Sequence, residues 1–148
     1  MKIALATDHA GFELKEFVKS ELLEKGYEVE DFGAHEYDSL DDYPDFIGAA
    51  AQSVSTNPEM KAIIFGGSGQ GEAMAANRFN GVRTAVFYGG SLELIKLSRL
   101  HNNANVLSLG ARFVEKSEIM DIIQIWFDTE FEGDRHALRI EKLDKLNQ

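Results

Sequence analysis

The chain has 148 residues, 15 Lys and Arg against 25 Asp and Glu, and a net charge of −10. This balance argues against a nucleic-acid or anionic-membrane binder, because such proteins bind through clustered cations. The sequence has no cysteine, which excludes disulfides, thiolate metal sites and cysteine catalysis. The length suits one domain over residues 1–148. No apolar run approaches the roughly 20 residues of a membrane span, and the first residues lack the layout of a signal peptide, so we expect a cytoplasmic protein.

Strands and helices alternate along the sequence. Short apolar runs that end in polar residues or glycine predict strands, and apolar residues three and four positions apart predict helices. The expected strands span residues 2–7, 27–32, 61–65, 83–88 and 105–109. The expected helices span residues 12–25, 44–54, 72–79, 91–101, 116–127 and 134–146.

This alternation predicts an α/β fold with a single Rossmann-like domain. We expect a five-stranded parallel sheet in the order 2-1-3-4-5, with helices on both faces and a C-terminal helix. In open sheets of this kind, ligands bind beyond the carboxyl ends of the strands, where the strand order reverses. The residues that follow the strands are therefore the first candidates for a functional site.

A glycine-rich loop follows the third predicted strand and opens a helix. Its backbone N–H groups can point into one hollow that favours a negative charge. The pattern fits neither a dinucleotide fingerprint nor a phosphate loop, which has a lysine where this chain has Glu72. We therefore expect the loop to bind a smaller or a transient anion. Its candidate residues are Gly67, Ser68, Gly69, Gln70 and Gly71.

Glu72, directly after this loop, has two interpretations. Acidic residues are common in the first turn of a helix, where each stabilises it by a few tenths to about one kcal/mol. A carboxylate beside a ring of amide donors is also the arrangement that removes a proton next to a carbonyl, because the amides stabilise the oxyanion that develops. The position of Glu72 alone leaves both interpretations open.

Three candidates follow the first and fifth predicted strands. Asp8 and His9 could bind a hydroxyl or a phosphate, since histidine titrates near neutral pH. They could equally be a helix cap and an exposed loop residue. Arg112 follows the fifth strand and could reach an anion at the same edge of the sheet.

Two further candidate groups lie near the ends of predicted helices. His101 could be a general acid–base and Asn102 a ligand of hydroxyl groups, or both could simply end a helix. Arg135, His136 and Arg139 could bind a phosphate through the forked donors of arginine. The alternative for these three is a solvated face that pairs with neighbouring acids.

In this order, the motifs resemble the ribose-5-phosphate isomerase B family and its relatives, the galactose-6-phosphate and allose-6-phosphate isomerases. The resemblance covers nearly the whole chain, and the conjunction of motifs is specific although each motif is weak. The motifs are Asp8-His9-Ala10-Gly11, Asp42-Tyr43-Pro44, Gly66 to Glu72 with Ala75-Ala76-Asn77, Gly81-Val82-Arg83, His101 to Asn105, and Gly110-Ala111-Arg112.

The resemblance implies an aldose–ketose isomerase that uses no metal or other cofactor and acts on a small phosphorylated sugar through a cis-enediolate. Glu72 would move the proton between C1 and C2. The loop from Gly67 to Gly71, Ser68 included, would stabilise the enediolate. His101 would assist ring opening, together with Asp8.

The family also implies how the substrate is held and how the subunits assemble. The residues implied to line the sugar site are Tyr43 and Asn102, and those implied to hold the phosphate are His9, Arg112, Arg135, His136 and Arg139. Family members are homodimers with the site between subunits. We therefore expect a homodimer or a dimer of dimers, in which the C-terminal arginines can serve the neighbour's site.

One position departs from part of the family. Many members carry the base as a cysteine where this chain has Gly66, and an apolar residue where it has Glu72. The chain resembles the branch that uses glutamate, and the hexose-phosphate relatives usually carry the cysteine. Ribose 5-phosphate and ribulose 5-phosphate are therefore the expected substrates. The alternatives are an isomerase of a hexose 6-phosphate and a non-catalytic phosphosugar-binding module.

Overall fold

Five strands and six helices alternate along residues 1–146, the part of the chain that the computed structural model describes. The strands are β1 (Lys2–Thr7), β2 (Glu28–Asp31), β3 (Lys61–Gly66), β4 (Thr84–Phe87) and β5 (Val106–Gly110). The helices are α1 (Phe12–Glu24), α2 (Tyr43–Thr56), α3 (Gln70–Ala76), α4 (Glu93–Leu100), α5 (Ile119–Asp128) and α6 (Arg135–Asp144). None of these described helices is long and apolar enough to cross a membrane. The cytoplasmic location stays a prediction.

All strands pair in parallel, as predicted, in the order β2-β1-β3-β5-β4. The predicted order 2-1-3-4-5 is wrong for the last two strands. All five residues of β5 are buried, whereas β4 is only partly covered and its Val86 is 36% exposed. Strands in the middle of a parallel sheet are covered by helices on both faces, whereas an edge strand is more open to solvent. β5 therefore lies inside the sheet, between β3 and β4, and β4 forms the edge.

Helices cover both faces of the sheet, also as predicted, because successive strand side chains point to opposite faces. On one face Ile3 and Leu5 of β1 pack in a cluster with the large Trp126 of α5. On the other face the small side chains of β1 and β3 pack in a cluster with Ile47 and Val54 of α2. The sheet is thus held between two apolar layers, and its carboxyl edge is left to the loops.

A buried ion pair fixes the loop that follows β2. Lys15 of α1 has no solvent exposure, and its Nζ lies 2.7 Å from both carboxylate oxygens of Asp31. The same Nζ donates to the backbone oxygen of Ala34 at 2.8 Å. Burial opposes ionisation of Asp31, but hydrogen bonds from Lys15 and Lys19 hold the pKa of this carboxyl below its ordinary value. The loop between β2 and α2 is therefore anchored at its start, before it reaches the carboxyl edge of the sheet.

Candidate active site

The carboxyl ends of β1, β3 and β5 lie side by side, and predicted site residues follow each of them. The loops after β3 and β5 are tied together by backbone hydrogen bonds, from the Ala111 amide to the Gly66 oxygen at 2.8 Å and from the Arg112 amide to the Gly67 oxygen at 3.1 Å. The Arg112 side chain lies over Gly67, whose absent Cβ would stand 3.1 Å from Nη1 of Arg112. The structure therefore places a guanidinium directly on the glycine-rich loop.

The conformation of this loop depends on glycine at one point. Gly69 has φ +81°, in the left-handed region that favours glycine. Its backbone oxygen accepts a hydrogen bond from Oγ of Ser108 at 2.6 Å, and the Gln70 amide donates to Oγ of Ser68 at 3.3 Å. Helix α3 begins at Gln70, so the amides of its first turn have no carbonyl partner within the helix. Such amides favour a negative charge, which suits the predicted anion site.

Glu72, in this first turn of α3, is only 5% exposed. Burial raises the pKa of its carboxyl, the negative charge of Asp8 adds to this rise, and a hydrogen bond from the residue's own backbone opposes it. The carboxylate lies directly against the Cα of Gly66, because a Cβ at position 66 would overlap it. A buried carboxylate with a raised pKa is a stronger proton acceptor than an exposed one, as general base catalysis requires.

Tyr43 lies on the other side of the same loop. The ring of Tyr43, the first residue of α2, packs against Gly71, whose absent Cβ would stand 2.8 Å from Cζ of the ring. Tyr43 is thus close to the glycine-rich loop; its role in lining the sugar site stays a prediction. The carboxyl-edge group, as we call the residues at this edge, comprises Asp8, His9, Tyr43, Gly67, Ser68, Gly69, Gln70, Gly71, Glu72 and Arg112.

Asp8 and His9 complete the carboxyl-edge group, and both are held in place. Oδ1 of Asp8 accepts from the Ala10 amide at 2.9 Å, so Asp8 caps the short 3-10 turn His9–Gly11 that precedes α1. His9 is bound by Asp41, whose Oδ1 lies 2.7 Å from Nδ1 of the ring. This hydrogen bond raises the pKa of His9. Sequence reasoning missed Asp41, which lies 32 residues from His9 in an irregular acidic loop.

The remaining predicted residues lie elsewhere. His101 follows α4 and precedes β5, so it lies near the amino edge of the sheet. Its ring stacks on that of His136 in α6, with centroids 4.2 Å apart and an angle of 16° between the planes. Nη1 of Arg139 is 3.4 Å from Nδ1 of His136. Burial lowers the pKa of His136, and its Nε2 has no hydrogen-bond partner within the described residues 1–146.

The length of the strands separates these two groups. β3 and β5 pair from Ala62 with Val106 at one end to Gly66 with Gly110 at the other. Four steps of about 3.3 Å make the two edges about 13 Å apart. Within one chain the structure therefore does not bring Glu72 and His101 together. We call the second set the amino-edge group; it comprises His101, Asn102, Arg135, His136 and Arg139.

Two clusters among the described residues have donors that could hold a metal ion. They are Asp8 with His9 and Asp41, and His101 with Glu132 and His136, and the ligand atoms within each cluster lie within 4.8 Å of one another. In the first cluster Oδ1 of Asp8 and Oδ1 of Asp41 already accept hydrogen bonds, as described above. Oδ2 of Asp41 is buried and has no hydrogen-bond partner among residues 1–146. The use of no metal or other cofactor stays a prediction.

Comparison with known proteins identifies the family. A sequence model of the Ribose/Galactose Isomerase family matches residues 3–143. The chain belongs to this family. Its sequence is 40% identical over 144 residues to ribose-5-phosphate isomerase B of Mycolicibacterium paratuberculosis, an alignment that covers 97% of this chain and 89% of that protein.

Solved structures of this isomerase family have the same fold. Ribose-5-phosphate isomerase B of Mycoplasma genitalium, crystallised with bound ribulose-5-phosphate, matches with a TM-score of 0.92 at 39% identity, over 97% of this chain and 94% of that one. The Thermotoga maritima ribose 5-phosphate isomerase matches with a TM-score of 0.90 at 43% identity, over 98% of each chain. The predicted recognition of the family and the predicted enzyme class are both confirmed.

Proposed function

We propose that this isomerase interconverts ribose 5-phosphate and ribulose 5-phosphate, with Glu72 as the base that moves the proton between C1 and C2. The substrate is supported by relatives at about 40% identity named ribose-5-phosphate isomerase B and by a similar structure with bound ribulose-5-phosphate. One observation carries the role of Glu72: its buried carboxylate lies between Gly66 and the glycine-rich loop, at the carboxyl edge of the sheet.

The reaction needs a base and an oxyanion site close together. From the open-chain aldose, the Glu72 carboxylate takes the proton from C2, and the electron pair moves to the C1 oxygen. The backbone amides of the glycine-rich loop stabilise the resulting enediolate, and each such donor is worth on the order of 100-fold in rate. The hydroxyl proton then passes from the C2 oxygen to the C1 oxygen. Glu72 returns its proton to C1 while the C2 oxygen becomes the ketone. No redox cofactor is required, because the substrate is oxidised at one carbon and reduced at the other.

The substrate's phosphate fits the cations of both groups. His9 and Arg112 of the carboxyl-edge group lie close enough that the charge of Arg112 lowers the pKa of His9. Two neighbouring cations repel each other and gain from a shared anion. Arginine binds phosphate through paired donors, and we assign Arg135 and Arg139 to the same phosphate.

This assignment requires a second subunit. The two edges of the sheet are about 13 Å apart by strand rise, so one chain alone does not surround a pentose phosphate with both groups. In a symmetric homodimer the amino-edge group of each subunit can complete the carboxyl-edge group of the other. We therefore propose a homodimer with two composite sites, in which His101 and Asn102 act on the sugar bound by the partner's Glu72.

Mixing two inactive variants tests the base and the assembly together. Glu72→Gln and His101→Ala homodimers should each be inactive, and refolding an equal mixture should restore about a quarter of the wild-type activity, because half of the dimers are mixed and each has one intact site. The matched control mixes Glu72→Gln with Arg112→Ala, which belong to the same group. That mixture should stay inactive, because both sites of every mixed dimer are damaged. Equal activity of the two mixtures would contradict the composite site.

The substrate and the catalytic role need a separate experiment. Activity with ribose 5-phosphate, galactose 6-phosphate and allose 6-phosphate should favour the pentose, and a clear preference for a hexose would overturn that assignment. Substrate recovered from D₂O should carry deuterium at C2 with the wild type and not with Glu72→Gln. A protein that binds sugar phosphate and exchanges no hydrogen would be a binding module instead.

A further inference from the structure

A single carboxylate oxygen of Asp41 makes two hydrogen bonds to His9. Its Oδ1 accepts from the His9 backbone amide at 2.9 Å and lies 2.7 Å from Nδ1 of the His9 ring. The Asp41 side chain is only 8% exposed, so this oxygen is shielded from competing water. Asp41 comes from the loop between β2 and α2, which Lys15 anchors at its start through Asp31 and Ala34. These two hydrogen bonds therefore link the residues that follow β1 to the loop between β2 and α2, which is itself held in place by Lys15.

This geometry decides which ring nitrogen of His9 is available. A carboxylate only accepts hydrogen bonds, so the contact requires the proton on Nδ1. Nε2 is then left for another group, in the way that hydrogen bonding at one ring nitrogen sets the role of the other. The Tyr37 ring stands edge-on to the His9 ring, with 6.3 Å between the ring centroids.

The charges around His9 act in both directions. The hydrogen bond to Asp41 is the largest influence and raises the pKa of His9; burial and the charge of Arg112 lower it, and the charge of Asp8 raises it further. The net rise keeps His9 protonated to higher pH than a free histidine. If binding of the phosphate requires the His9 proton, the affinity for phosphate falls as the pH rises through the raised pKa of His9. Without Asp41 the pKa of His9 is lower, so this fall in affinity begins at lower pH.

We propose that Asp41 is a positioning residue that holds the His9 imidazole through Nδ1, so that its other ring nitrogen serves the phosphate group of the substrate. This inference rests on the proposed function, in which His9 binds the phosphate. Asp41 itself does not touch the substrate in this scheme, and its effect is exerted through His9 alone.

The test is Asp41→Asn, which preserves the size of the side chain and removes its charge. We expect the KM for ribose 5-phosphate to rise about tenfold, the order expected when a charge-assisted hydrogen bond becomes a neutral one, with a much smaller fall in kcat. The loss of affinity with rising pH should begin at lower pH than in the wild type. The matched control is Asp38→Asn in the same loop, where the exposed carboxylate of Asp38 accepts from the Leu40 amide. Its KM should not change.

Two further measurements separate positioning from general damage. Two-bond ¹H–¹⁵N spectra, assigned with His9→Gln, should show Nδ1 protonated in the wild type. In Asp41→Asn they should show the His9 ring changing from its charged to its neutral form at lower pH than in the wild type. The double variant His9→Gln with Asp41→Asn should raise KM no more than His9→Gln alone, because residues that act through one another are not additive. Unchanged KM and unchanged spectra in Asp41→Asn would overturn the proposal. So would a fall in kcat as large as the rise in KM, together with a lower melting temperature, because this result indicates general damage to the fold.

The KM values of His9→Gln and Asp41→Asn distinguish a wrong role for Asp41 from a wrong role for His9. If His9→Gln raises KM and Asp41→Asn does not, only the role of Asp41 is wrong. If His9→Gln itself leaves KM unchanged, the assignment of His9 to the phosphate is wrong.

Discussion

Adding one methyl group at Gly66 should disable the enzyme without unfolding it. The Cβ of Gly66→Ala would overlap Cδ and both oxygens of the Glu72 carboxyl, so this side chain must leave its position. Gly66 is the last residue of β3 and has no positive φ, so alanine fits the backbone. The conflict therefore falls on Glu72 and not on the strand.

The size of the effect follows from the displacement. A misplacement of about 1 Å at a reacting group costs on the order of 100-fold in rate, and clearing this overlap requires a movement of at least that size. Expulsion toward water would also remove the burial that raises the pKa of Glu72 and makes it a stronger base. We expect kcat for ribose 5-phosphate to fall at least about 100-fold, whereas overpacking one methyl costs only about 1–3 kcal/mol of stability.

The assay is kcat and KM for ribose 5-phosphate together with thermal melting. The matched control is Gly48→Ala in α2, whose Cβ would meet only Cζ of Phe79 at an ordinary 3.8 Å. This control should retain full activity and gain about 0.5–1 kcal/mol, since alanine is favoured over glycine within a helix. A Gly66→Ala enzyme with wild-type kcat would refute the placement of the base.

Three other predictions concern buried charges. Lys15→Met should destabilise the fold by about 3 kcal/mol in denaturant unfolding, because it removes one partner of a buried ion pair, whereas Lys19→Met, at the more exposed contact with Asp31, should cost less. In Asp8→Asn, the acid limb of the pH profile of kcat/KM should move to lower pH, since the charge of Asp8 raises the pKa of Glu72. Glu72→Gln should have a higher melting temperature than the wild type at pH values above the raised pKa of Glu72, because the fold disfavours the ionised carboxyl. Below pH 4.5 the two proteins should melt at the same temperature. A lower melting temperature of Glu72→Gln at pH 8 would contradict this.

The fold could be predicted from local patterns except for the strand order. Apolar spacing located the five strands and six α-helices of residues 1–146, because it reports which face of each element is buried. It does not report which strand is central, since that depends on neighbours distant in sequence. The sequences of β4 and β5 both predict short apolar strands. Only the structure shows that β5 is buried on both faces and that β4 is partly exposed.

The division of the site into two groups could have been predicted in part. In a parallel sheet, residues after strands lie at the carboxyl edge, and residues between a helix and the next strand lie at the amino edge. His101 precedes β5 and Glu72 follows β3, so their positions already indicate opposite edges. The contact of Asp41 with His9 had no such signal, because it joins two loops that have no periodic pattern.

The overlap at Gly66 also gives a physical reason for the branching that the family resemblance describes. A base at position 66 must project from the strand into the space that the Glu72 carboxylate fills in this structure, because any Cβ there would collide with it. The two positions therefore share one volume beside the glycine-rich loop, and that volume accommodates only one acid–base group at a time. To move the base from one position to the other, both residues must change. A side chain added at position 66 alone would collide with the Glu72 carboxylate, and the loss of Glu72 alone would leave no base at all. In the proposed mechanism, glycine at position 66 is thus part of the catalytic arrangement, although it has no side chain and no proton to transfer.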